Sequence, residues 1–146
     1  MTKKLIIPIL LILITLLAGC SSFTESSSEN ISEEDYIVVV YLHEKFNEYV
    51  QIDDYMLKSE GTGNDVYVYY MNVQALLSEI SAKEVPTFLA PIKTKLIDGM
   101  RMHSDGAACM SNNKICGSDI EALKLRSEGK DLLNEFKDDI AVYYFR

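Results

Sequence analysis

Histidine is scarce in this chain: His43 and His103 are the two in 146 residues. Helical bundles hold di-iron centres with Glu-x-x-His on two helices, but the residues three positions before these histidines are Val40 and Met100. His43-Glu44 is not followed by a histidine at position 47, so the zinc-protease helix is missing too. The three cysteines, Cys20, Cys109 and Cys116, form no Cys-x-x-Cys-His haem-attachment motif. No Gly-x-x-x-x-Gly-Lys phosphate loop occurs, and Gly61-Thr62-Gly63 alone reads as a turn. No serine sits in a nucleophile-elbow context. These absences leave no readable active site, and the expectation is a protein that is not an enzyme and carries no cofactor or resident metal.

Positive charge is also in short supply. Fourteen basic residues face 22 acidic ones. Lys3 and Lys4 are the only charges in the first 19 residues, so the remaining 127 residues hold 12 basic and 22 acidic side chains, a formal charge of −10. Nucleic-acid binding needs lysine and arginine against phosphate, so a nucleic-acid partner is not expected. Anionic lipid head groups would repel the same surface.

The N-terminus has what the rest lacks, a long apolar run. Leu5–Ala18 is almost wholly apolar and follows the basic pair. It is too short to cross a bilayer core of ~30 Å at ~1.5 Å per residue, and has the length of a signal-peptide apolar region. Leu17-Ala18-Gly19-Cys20 resembles the lipobox of bacterial-type lipoproteins. The resemblance implies cleavage of residues 1–19 with Leu17, Ala18 and Gly19 as the recognition residues. It implies diacylglyceryl attachment to the Cys20 thiol, and often a further acyl chain on the new amine. Two or three such chains, palmitate among them, make a stable membrane anchor where one would be marginal. The implied location is the extracytoplasmic face of a cell membrane. Residues 20–31, the lipidated cysteine and "SSFTESSSENI", read as a flexible tether.

Residues 32–146 show four stretches of helical spacing. Ser32-Glu33-Glu34-Asp35 is a near capping box ahead of a stripe at Val39, Leu42, Phe46, Tyr49 and Met56. Val66, Tyr70, Val73, Leu77 and Ile80 step by four and three in the rhythm of a bundled helix. A third stripe runs through Leu89, Ile92, Leu96, Met100, His103, Ala107 and Met110, its start blurred by Pro86 and Pro91. Ser118-Asp119-Ile120-Glu121 is a full capping box before Ala122, Leu125, Gly129, Leu133, Phe136, Ile140 and Tyr143. Gly129 in that stripe suits a close helix approach. The expected fold is all-α, an antiparallel four-helix bundle. The alternative is α+β, because Tyr36–Leu42, Val66–Met71 and Ile140–Phe145 are rich in β-branched and aromatic residues. The layout also looks like small helical lipoproteins of unknown function on microbial cell surfaces, a likeness that implies no activity.

With Cys20 lipidated, Cys109 and Cys116 are an even pair outside the cytosol, and a disulfide between them is expected. Across a loop of about eight residues it is worth about 2.5 kcal/mol. Met100 and His103 share a helix face, and thioether with imidazole suits copper(I); the competing reading is core methionine beside a partly buried histidine. Tyr67 and Tyr69 are the candidate interaction surface, since exposed tyrosines serve interfaces well. Asp53 falls near the apolar stripe of the first helix; a lone buried carboxylate is costly without a partner, and drift of the helix phase is expected to bring it to solvent. Two functions lead, ahead of a third in which catalytic residues are dispersed along the chain. One is a non-catalytic binding or structural role towards another envelope protein. The other is a small-ligand or metal-binding module between the helices.

Overall fold

A computed structural model describes residues 31–59, 63–111 and 117–145. The expected signal peptide, the lipobox-like Leu17–Cys20, the expected tether up to position 30, the expected turn around Gly61 and Cys116 lie outside these residues. The unit Ile31–Arg146 is compact, and every member of its hydrophobic core belongs to it.

Four helices follow in order: α1 (Glu33–Lys58), α2 (Gly63–Ala82), α3 (Ala90–Ser111) and α4 (Asp119–Tyr144). The fold is all-α, and there is no strand among the described residues. Tyr36–Leu42 and Val66–Met71 lie inside helices, because each run continues in phase into a stripe that packing rewards. Helix starts follow the sequence closely. Ser32 Oγ accepts the Asp35 N–H at 3.1 Å, and Glu33, Glu34 and Asp35 put negative charge at the positive end of α1. Ser118 does the same for α4, accepting the Glu121 N–H at 3.3 Å. Gly117 just before it has φ 68°, a left-handed conformation that suits glycine.

The prolines mark a two-step start to α3. Pro86 caps a short 3-10 turn, Thr87–Leu89, which runs straight into Ala90. Pro91 then occupies the first turn of α3, where a missing N–H costs nothing. Lys93 Nζ reaches back to the Ser81 and Lys83 carbonyl oxygens at 2.9 and 2.6 Å, satisfying acceptors at the end of α2.

Each helix packs on the next, and α1 closes the ring against α4. Cross-helix pairs fix the directions as antiparallel. Lys45 meets Glu79 at 2.8 Å between α1 and α2, and Lys95 meets Glu135 and Asp139 at 3.0 and 2.8 Å between α3 and α4. Phe46 and Phe136 face each other at 5.4 Å across α1 and α4. Val39, Leu42, Val73, Ile80, Leu89, Leu96, Met100 and Ile140 fill the interior.

Two expectations need correction. On α2 the buried tyrosine is Tyr69, not Tyr70, which is half-buried at the margin. Tyr69 and Leu76 join Val66, Val73, Leu77 and Ile80, because α2 packs on both α1 and α3 and needs a broader face than one a/d seam. On α3 the buried stripe ends before Met110, which is exposed.

The α3–α4 seam is built on glycine. A Cβ at Gly129 would lie 2.5 Å from the His103 backbone nitrogen and 2.8 Å from the Gly99 carbonyl oxygen. A Cβ at Gly106 would lie 2.7 Å from the Ala122 carbonyl oxygen, and one at Gly99 would lie 2.9 Å from Leu133 Cγ. The two backbones therefore run closer than side chains would permit, and this closeness sets the candidate site.

Candidate functional site

Where Gly129 lets α4 approach α3, His103 is trapped between α4 and α1. It is 8% exposed. Its Nδ1 lies 2.7 Å from Tyr49 Oη on α1, and its Nε2 lies 3.5 Å from Arg126 Nη2 on α4. A guanidinium only donates, so His103 Nε2 is the acceptor and the ring proton sits on Nδ1. That assignment orders the rest of the network. His103 Nδ1–H donates to Tyr49 Oη. Tyr49 Oη, 3.4 Å from Tyr69 Oη, donates its own O–H to it, and Tyr69 Oη donates to Asp53 Oδ1 at 3.3 Å. Asp53 Oδ1 also lies 3.5 Å from His103 Nδ1. A hydrogen-bonded path thus runs from the Arg126 cation through three buried side chains to the Asp53 anion.

The electrostatics agree with neutral groups inside this path. Burial pushes the Tyr49 and Tyr69 hydroxyls well above the ordinary phenol range, and the Asp53 carboxylate adds to both shifts. Burial lowers the His103 pKa from 6.5. Asp53 opposes that shift, while Arg126 and Lys130 reinforce it. No buried side-chain nitrogen or oxygen among the described residues lacks a partner. Asp53, which looked like a carboxylate heading for solvent, is instead the terminus of a satisfied network.

This network forms part of the wall of a cleft of about 400 Å³ between α1 and α4. Phe46, Val50, Asp53 and Leu57 line the α1 side at steps of three and four; Arg126, Lys130, Leu133, Asn134 and Lys137 line the α4 side. Val50 and Leu57 are exposed at 45% and 63%. Tyr69 sits on the opposite side of α1, in a second, smaller groove of about 210 Å³ with Glu48, Ile52 and Tyr55. The path from Arg126 to Tyr69 therefore connects two grooves on either side of α1.

The residues singled out in the sequence scatter. Tyr67 is exposed on α2, whereas Tyr69 is buried, so the two do not share an interaction surface. Two residues apart on a helix, they point in directions about 160° apart. Met100 is core, and Met102 is half-buried. Among the described residues no group of three or more His, Cys, Asp or Glu side chains is placed to hold a metal ion. Cys109 is buried near the end of α3, and its expected partner Cys116 lies outside the described residues. Tyr49, Arg126, Lys130 and Lys137 went unremarked as functional candidates. The signal for the basic three was present: positions 126, 130 and 137 follow one face of a helix.

Comparison with protein-family models, curated proteins and solved structures gives no match.

Proposed function

We propose that this chain is a lipid-anchored extracytoplasmic lipoprotein whose four-helix domain binds a small ligand, without catalysis, in the cleft between α1 and α4. The anchor rests on the lipobox at Leu17–Cys20 and its processing context. The binding role rests on one observation, an open cleft whose wall is set by the satisfied path Arg126–His103–Tyr49–Tyr69–Asp53. Such a path holds polar groups in fixed orientation at the edge of an apolar surface, which is how small-molecule sites obtain specificity. The Cys109–Cys116 disulfide belongs to the same proposal: a buried cysteine near the end of α3, bonded to the residues before α4, pins the two helices that carry His103 and Arg126.

A second reading has its own observation. Tyr67, Val68 and Met71 leave exposed apolar surface on α2, on which another envelope protein would dock. The two readings separate in one experiment. Isotope-labelled residues 31–146 are followed by NMR while a small-molecule extract of the cell envelope is added. Shifts at Val50, Arg126 and Lys130 support the cleft. Shifts appearing only with envelope proteins, and only at Tyr67 and Met71, replace it with the partner reading. For the anchor, Cys20→Ser releases the protein from the membrane fraction; undiminished retention overturns lipidation at Cys20.

A further inference from the structure

Resting on that reading, we propose that the occupant of the cleft is an organic anion, with a carboxylate or phosphate head held by Arg126 and Lys130 and a short apolar body along Val50 and Leu57.

The distribution of basic residues carries the argument. Acidic side chains outnumber basic ones in this chain by 22 to 14, so a cation easily finds a carboxylate. Most do. Lys45, Lys58, Lys95, Arg101 and Lys124 each lie in an ion pair. Lys93 is spent on backbone carbonyls, and Lys83 lies over the Tyr41 ring. Among the described residues, the remaining three are Arg126, Lys130 and Lys137, and all three line the one cleft.

The sequence of α4 isolates them. Positions three and four residues away from Arg126 hold Ala122, Leu123, Gly129 and Lys130; those around Lys130 hold Arg126, Ser127, Leu133 and Asn134; those around Lys137 hold Leu133, Asn134, Ile140 and Ala141. No acid stands at any of them, although α4 carries Glu128, Asp131, Glu135, Asp138 and Asp139 on its other faces. Instead Arg126 and Lys130 sit one turn apart, where like charges repel. A solvated surface with this composition gains by mixing the signs. Here they are segregated, and the cations face a concave wall.

Among the described residues the only acid lining the cleft is Asp53, and it is engaged by Tyr69 and His103. The guanidinium of Arg126 spends one nitrogen on His103 and lies 3.8 Å from Met110 Sδ with the other, a weak acceptor. An anionic oxygen is a far better partner for these donors. Beside them, Val50 and Leu57 remain exposed and Phe46 and Leu133 form the apolar floor. A head group alone leaves that surface wet; an anion with a few methylenes or a ring covers it.

The test uses labelled residues 31–146 and four probes with one apolar body: hexanoate, hexyl phosphate, hexanamide and hexylamine. Inorganic phosphate, a head group with no body, is the control for the apolar part. The proposal expects shifts at Arg126, Lys130 and Leu57 with the two anions, and affinity for the better anion at least about tenfold above that for hexanamide. The better of hexanoate and hexyl phosphate identifies the head group. Lys130→Gln, a change at an exposed residue outside the buried path, reduces anion affinity about tenfold with hexanamide unchanged; Arg126→Gln, which also removes a member of that path, reduces anion affinity at least as much. Equal binding of hexanamide overturns the anion while leaving a small-ligand cleft standing. Inorganic phosphate matching hexyl phosphate overturns the apolar body. Anion shifts outside the cleft, undiminished binding by Lys130→Gln, or no shift with either anion overturns the proposal itself; the small-ligand reading then falls only if the envelope extract also leaves the cleft unshifted.

Discussion

Arg126 Nη2 lies 3.5 Å from His103 Nε2, and this one approach across the α3–α4 seam fixes the proton on His103 Nδ1. Everything in the buried path takes its direction from that pair, and the approach itself depends on Gly129 having no side chain.

Gly129→Ala is therefore expected to destabilise the domain, although alanine is the better helix former. Propensity gains about 1 kcal/mol, but the new methyl meets backbone rather than a flexible side chain. Overpacking of this kind costs about 1–3 kcal/mol, and the loss of the Arg126–His103 contact adds to it. Urea denaturation measures the difference. A variant as stable as the parent would mean the two helices separate without cost.

His103 makes stability depend on pH. Its folded pKa lies below the unfolded 6.5, so the unfolded chain binds the extra proton. Its contribution is fully present above about pH 6.5 and is lost as pH falls below that value. Asp53 and Tyr49 from α1 and Arg126 and Lys130 from α4 face it, with Tyr69 from α2 behind Tyr49. Asp105, whose pKa is raised by burial, acts in the opposite direction, gaining stability on protonation in more acidic solution. Denaturation curves between pH 5 and 8 should weaken towards pH 5, and His103→Gln should flatten that dependence. An unchanged slope in the variant would assign it elsewhere.

The phenols offer a spectroscopic check. Of nine tyrosines, Tyr49 and Tyr69 are held protonated by burial and by Asp53. Alkaline titration followed by phenolate absorbance should leave these two silent until the domain unfolds. Tyr49→Phe should cost about 1–3 kcal/mol, since it strips the 2.7 Å partner from a buried imidazole. Tyr69→Phe should cost less, because Asp53 retains His103 and is partly open to solvent.

Much of this was legible in the sequence, for reasons that particular residues make plain. Ser32 and Ser118 announced two helix starts because capping is local chemistry. The stripes through Val39–Phe46 and Leu133–Ile140 announced the bundle because burial follows helical period. Tyr69 and Tyr70 were exchanged because a helix with two packing partners has a wider buried face than one seam. The polar path was not legible. It joins positions 49, 53, 69, 103 and 126, which only the bundle topology brings together, and a histidine on an apolar stripe reads alone until its partners arrive from α1 and α4.

The proposed disulfide should raise stability by about 2.5 kcal/mol. Reduction of protein exported to its native compartment should lower its melting temperature, and Cys109→Ser should reproduce the loss. Equal melting temperatures with and without reductant would remove the bond from the account.

The most direct test of the central claim is native mass spectrometry of the domain recovered from the cell envelope under gentle conditions. The account predicts a reproducible added mass of a small organic anion, much diminished in the same domain carrying Lys130→Gln. A bare mass from the parent protein, or an added mass that survives Lys130→Gln undiminished, would contradict it.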